Sequence, residues 1–123
     1  DLTALDAAWR ADLPSEPWLA KAVTSYRAGS PTSAALIWRQ WRESATRTLA
    51  EVFRTEWVVS TQCAAHADFP EGVRALLIDK DQSPRWQPAT LAEVGGAHVE
   101  APYRLPDGVA VHPLADLEQV YGG

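Results

Sequence analysis

Residues 68–86 read DFPEGVRALLIDKDQSPRW, and this stretch governs how the rest of the chain is read. Asp68 followed three residues later by Glu71 has capping-box spacing, with the Asp68 carboxylate offered to free N–H groups of a first helical turn. Pro70 fits that turn, which has no use for its missing N–H. Val73, Leu76, Leu77 and Lys80 then fall on one helical face. The helix is predicted to stop at Asp81-Gln82-Ser83-Pro84, with Phe69 at its start and Lys80 in its last turn.

Working upstream, the same periodicity recurs. Leu2, Leu5, Ala8 and Trp9 share a helical spacing that ends before Pro14. Ser15-Glu16-Pro17 opens a second helix carrying Trp18, Leu19, Ala22, Val23 and Tyr26 on one side, and Gly29 stops it. Ser30-Pro31 reads as N-cap plus first helical residue. The apolar stripe expected for the third helix is Ala34, Ile37, Trp38 and Trp41, with Arg39, Gln40, Arg42 and Glu43 outside it. A fourth and longest helix spans about residues 46–67, its buried stripe running through Leu49, Val52, Phe53, Trp57, Ser60, Cys63 and Ala64. Downstream of Trp86 the order fades: a helical turn at 90–94, then a Gly/Pro-punctuated stretch through Gly108, and a short final helix at 114–121. The pattern predicts an all-α chain of five to six helices with no sheet, divided into a helical region 1–94 and an irregular tail 95–123.

As a string, the opening stretch resembles the C-terminal signature of the 3-hydroxyisobutyryl-CoA hydrolases, a branch of the crotonase (enoyl-CoA hydratase/isomerase) superfamily. Asp68, Phe69, the run Glu71 to Ala75, the run Ile78 to Asp81, Pro84 and Trp86 carry the likeness. It extends upstream through residues 48–56 and Ser30-Pro31-Thr32-Ser33, covering about residues 16–88, and is loose before that. The resemblance implies a C-terminal helical subdomain of a crotonase-like acyl-CoA thioester hydrolase of valine catabolism. The parent would act on an acyl-CoA substrate, with no separate cofactor, and homo-oligomers are expected. The core that carries the oxyanion-hole N–H groups and the catalytic acids is missing from this chain, which begins at Asp1 and contains no Met. A fragment of a longer enzyme, inactive alone and without catalytic residues of its own, is therefore expected. Two alternatives stand beside this reading: the C-terminal part of an enoyl-CoA hydratase or isomerase, and a free-standing helical interaction module. The run Ile78-Asp79-Lys80-Asp81 with Trp86 favours the hydrolase branch.

Charge narrows the partners. A net charge of −5 over 123 residues provides no basic stripe to neutralise phosphates, so nucleic acid is not expected as a partner. No apolar stretch is long enough for a membrane span. The lone Cys63 rules out an intramolecular disulfide and a Cys-based zinc site and fits a cytoplasmic protein. Frequent Ala and Arg point to a high-GC bacterial coding sequence.

Two residues emerge as substrate contacts through the resemblance. Lys80 is implied near the CoA nucleotide, where an ammonium suits a diffuse polyphosphate as a point charge; alternatively it is a helix-terminal cation favoured by the macrodipole. Phe69 is implied as a wall of the pantetheine and acyl pocket, or else as packing between two helices. Glu56 lies in the apolar stripe of the fourth helix and is expected to pair with Arg74, Arg54 or a backbone N–H. Capping accounts for Asp68 and Glu71 without a paired-carboxylate mechanism. His66, His98 and His112 lack ligand spacing, so no metal site is expected. Ser30, Ser33 and Ser60 lack a nucleophile elbow and a neighbouring His–Asp set.

Overall fold

A computed structural model describes residues 1–117, and within them every regular element is helical. Six α-helices follow in order: α1 (Leu2–Ala11), α2 (Pro17–Ala28), α3 (Pro31–Ser44), α4 (Leu49–Ala65), α5 (Asp68–Val73) and α6 (Gly96–Glu100). No strand occurs among the described residues. Most of the final helix expected at 114–121 lies outside them; residues 113–116 form turns.

Local chemistry sets most helix starts. Ser30 caps α3 by accepting from the Ser33 N–H, and Pro31 occupies the first helical position. Thr48 and Glu51 form a reciprocal capping box at α4, the longest helix. The α5 start departs from the expected cap. Asp68 is already helical, and its carboxylate bonds no N–H of its own helix; the Asp68 N–H is instead received by His66 Nδ1 at 3.1 Å. His66, the residue that ends α4, thus also receives the first free N–H of α5, and a single extended residue serves both ends.

The helix beginning at Asp68 widens after one turn. Arg74–Ile78 form a π-helical segment, closed by the Asp79 N–H donating to the Arg74 carbonyl at 2.8 Å. It ends about two residues earlier than the periodicity predicts. Lys80 lies beyond it, in the left-handed region at φ 55°, so it does not share the face of Val73, Leu76 and Leu77.

Among the described residues the apolar core is small: Val23, Ala35, Leu36, Val58, Val59 and Ala75. The third helix is rotated from its expected orientation. Ile37 and Trp41 are 65% and 66% exposed, while Ala35 and Leu36 are buried. Arg39, expected outside, stacks 3.8 Å over the Tyr103 ring and bonds Glu43 and Glu100, each at 2.8 Å. In α4 the buried pair is Val58 and Val59, whereas Leu49, Phe53, Ser60 and Ala64 are exposed. Glu56 is exposed too, so its carboxylate has no burial to offset and makes no ion pair among the described residues.

The segment after Gly95 folds back on its own chain. Gly96–Glu100 form α6 against α3, and a 3-10 turn at Ala101–Tyr103 packs on α4 with Pro102 buried. Gln62 Nε2 donates to the Arg104 carbonyl at 2.9 Å. Farther on, His112 lies edge-on to Trp57, its Nε2 2.9 Å from the Arg54 carbonyl. No helix is long and apolar enough to cross a membrane among the described residues.

Candidate functional site

An open cleft of about 890 Å³ lies where the N-terminus of α3, the end of α4, the α5–π segment and the returning strap 101–107 converge. Its walls are mostly apolar: Leu36 at the base, Phe69, Leu76 and Leu77 on one side, Pro102 and Leu105 on the other. Phe69, Leu76 and Leu77 are each more than half exposed. Size and lining match a site for a small molecule or an extended acyl chain. Phe69 therefore sits in the cleft wall; Lys80 is not among the lining residues.

Three polar groups of the cleft wall stand together: Ser30, His66 and Asp68. Spacing had dismissed a Ser–His–Asp set, yet α3, α4 and α5 bring these side chains to one place. Their wiring is not that of a nucleophile. Ser30 Oγ donates to Asp68 Oδ2 at 2.6 Å, and Asp68 Oδ1 accepts from the Gln87 N–H at 2.9 Å. His66 Nδ1 accepts from the Asp68 N–H; in the neutral ring the proton therefore sits on Nε2, away from Ser30's base requirement. No ring nitrogen is positioned by these bonds to take the Ser30 proton. The cluster ties α3, α5 and the 85–87 segment together.

Glu71 is likewise consumed by structure. Its two oxygens receive Arg74 Nε and Nη2 at 2.9 and 2.8 Å, and Oε1 also receives the Arg85 N–H at 2.8 Å. Arg74 foremost, then the Arg85 amide, hold the Glu71 carboxyl down to about 2. Ties to distant segments, rather than a helix cap, occupy the oxygens of both Asp68 and Glu71.

Arg74 is the hub of the following loop. Nη1 donates to Asp79 Oδ2 at 2.6 Å and Asp81 Oδ2 at 2.7 Å, and Nη2 reaches the Ser83 carbonyl at 3.3 Å. With the two bonds to Glu71, all five guanidinium N–H donors are engaged. Arg74 and the Ser83 amide hold Asp81 below the usual carboxylate range. Trp86 closes the structure: its indole N–H donates to the Ala28 carbonyl at 2.9 Å, and its ring lies over Gly72, where an added Cβ would come within 3.2 Å. Only glycine leaves that much room, which explains Glu71-Gly72 in company with Trp86.

Sequence reasoning missed the cleft's strap (101–107) and Thr32. The Thr32 hydroxyl is buried beside the cleft without a hydrogen-bond partner. No local pattern distinguishes either one, because both are defined by segments far apart in the chain. Cys63 also lines the cleft, and burial pushes its thiol pKa up, away from thiolate chemistry. Among the described residues no group of His, Cys, Asp and Glu is arranged to hold a metal ion.

The class follows from comparison of the sequence with known proteins. The family model described as enoyl-CoA hydratase/isomerase matches residues 2–102, and the chain belongs to that family. Within it, the chain is similar to mitochondrial 3-hydroxyisobutyryl-CoA hydrolases. It is 50% identical to the Gallus gallus protein over 84 residues, 68% of this chain and 22% of that protein. Against the Danio rerio protein the identity is 54% over 71 residues, 58% of this chain and 19% of that one. Against the Homo sapiens protein it is 54% over 65 residues, 53% and 17%. The chain spans about a fifth of the length of these relatives.

Proposed function

We propose that this chain is the C-terminal helical region of an acyl-CoA thioester hydrolase acting on 3-hydroxyisobutyryl-CoA. One observation carries the reading: about half the residues are identical to hydrolases of that name across 65 to 84 positions. The family's hydratase and isomerase chemistry is the other reading, and the identity to the named hydrolases favours hydrolysis over it.

In this reaction, water adds to the thioester carbonyl carbon, an oxyanion forms on the carbonyl oxygen, and the CoA thiolate leaves. Stabilising that oxyanion calls for preorganised donors, and the resemblance assigns those donors and the catalytic acids to a core outside this chain. The residues of this chain are wired for other tasks: Ser30 and Asp68 bond to each other and to the fold, and burial pushes the Cys63 thiol pKa up. Residues 1–94 supply the binding surface, with Phe69 in the wall of the pocket for the acyl and pantetheine arm. Lys80 supplies a contact to the CoA phosphates. Residues 101–107 strap the far side of the cleft. The apolar surfaces left exposed, at Leu76 and Leu77 and at Ile37 and Trp41, pack against the core or against another copy in a homo-oligomer.

The test is an assay of the polypeptide that includes the upstream reading frame. Release of free CoA thiol from 3-hydroxyisobutyryl-CoA is expected. Hydration of an enoyl-CoA without thiol release would assign the hydratase branch. The 123-residue chain alone is expected to be inert, and turnover by it would overturn the division of labour.

A further inference from the structure

Lys80 sits between two acids, Asp79 and Asp81, in an exposed loop. An ammonium on a flexible stem with a carboxylate on either side would ordinarily spend much of its time paired to one of them. That pairing would compete directly with any anionic ligand. Here one oxygen of each carboxylate is already paired to the same guanidinium. Arg74 Nη1 bridges Asp79 Oδ2 and Asp81 Oδ2, Asp81 Oδ1 accepts from the Ser83 N–H, and the Lys80 ammonium has no partner among the described residues. The backbone contributes as well. Lys80 at φ 55° and Gln82 at φ 56° turn the chain around the guanidinium, and left-handed conformations are unusual for residues with side chains.

We propose that Arg74 is a positioning residue for substrate binding: by taking both carboxylates that flank Lys80, it keeps the Lys80 ammonium available to the phosphates of a CoA ester. This inference rests on the assignment of Lys80 to the CoA nucleotide made above. The guanidinium suits the task because its five donors lie in one plane with fixed directions. A lysine at position 74 has three donors on a single nitrogen and cannot hold Glu71, Asp79 and Asp81 in this arrangement.

The experiment compares four variants of the full-length enzyme by steady-state kinetics on 3-hydroxyisobutyryl-CoA: Lys80→Ala, Arg74→Gln, Asp79→Asn/Asp81→Asn, and Arg74→Gln combined with both Asn substitutions. Lys80→Ala is expected to raise KM roughly tenfold, the loss of one charge-assisted contact, with kcat unchanged because a remote contact is equally present in ground and transition states. Arg74→Gln should raise KM roughly two- to fivefold, the competition an exposed ion pair exerts. Adding the two Asn substitutions should return KM toward the wild-type value, since no carboxylate then remains to engage Lys80. The Asn pair alone should leave KM within about a factor of two.

An unchanged KM in Lys80→Ala would remove Lys80 from the site, and this inference with it. A raised KM in Lys80→Ala beside an unchanged KM in Arg74→Gln would overturn the role of Arg74 alone. So would an Arg74→Gln defect that the Asn substitutions do not relieve, because Arg74 would then serve only to hold the loop.

Discussion

Replacing Ser30 by Ala tests whether the polar cluster in the cleft is a structural tie or chemistry in waiting. Ser30 is 8% exposed, and its one hydroxyl performs two tasks. It accepts from the Ser33 N–H at 3.3 Å and donates to Asp68 Oδ2 at 2.6 Å. Loss of an N-cap costs about 1 kcal/mol. Loss of a hydrogen bond to a carboxylate costs roughly 1.5–3 kcal/mol, here toward the low end because Asp68 keeps the Gln87 N–H at 2.9 Å. A single oxygen serves both, so the losses do not add fully, and Ser30→Ala should destabilise by about 2 kcal/mol. For a domain of this size that corresponds to a fall in Tm of about 6–10 °C. Chemical and thermal unfolding of Ser30→Ala, Asp68→Ala and the double variant isolates the pair, with a coupling of about 1–2 kcal/mol expected. Stability within about 0.5 kcal/mol of wild type would refute the tie. An intact Tm together with a collapsed kcat in the full-length enzyme would be worse, since it would make Ser30 a participant in the reaction.

Glu71, held down to about 2 chiefly by Arg74, contributes stability that is fully present above about pH 4.5 and is lost as pH falls toward 2; wild type should therefore lose stability more steeply than Glu71→Gln between pH 5 and 2. A carboxyl NMR titration of Glu71 with its midpoint near 4.5 would dismantle the Arg74 hub. The Tyr26 phenol, desolvated and donating to Asp6 at 2.7 Å, is pushed up to about 12. Its contribution is present below pH 10 and lost between about pH 10 and 12, so ultraviolet titration should show a late-ionising tyrosine that Tyr26→Phe removes. Ile37, Trp41, Leu49 and Phe53, all more than half exposed, should drive self-association of the isolated chain. Sedimentation velocity should show Trp41→Glu shifted toward monomer, whereas a wild-type chain that stays monomeric at high concentration would count against this surface.

Sequence alone determined the helical class, most of the helix starts and the family signature. These are local properties. Ser30-Pro31 caps α3, Thr48 and Glu51 box the start of α4, and Pro17 opens α2, each through groups within four residues of one another. Tertiary structure decided which faces are covered. The tryptophan-rich stripe of α3 obeys helical periodicity, but the interior chose Ala35 and Leu36 because Arg39 on that side meets Tyr103 and Glu100, some sixty residues on. Asp68 and Glu71 have cap spacing. Yet Ser30, 38 residues before Asp68, and the Arg85 and Gln87 amides beyond α5 compete for the same oxygens and win. Lys80 was placed on a helical face by its spacing; a π-helical widening and a left-handed residue moved it into the loop, and only the Arg74 hub accounts for that path. Periodicity records how a helix repeats. Which of its faces is buried, and which of its charges remains unpaired, depends on partners that no window of neighbouring residues contains.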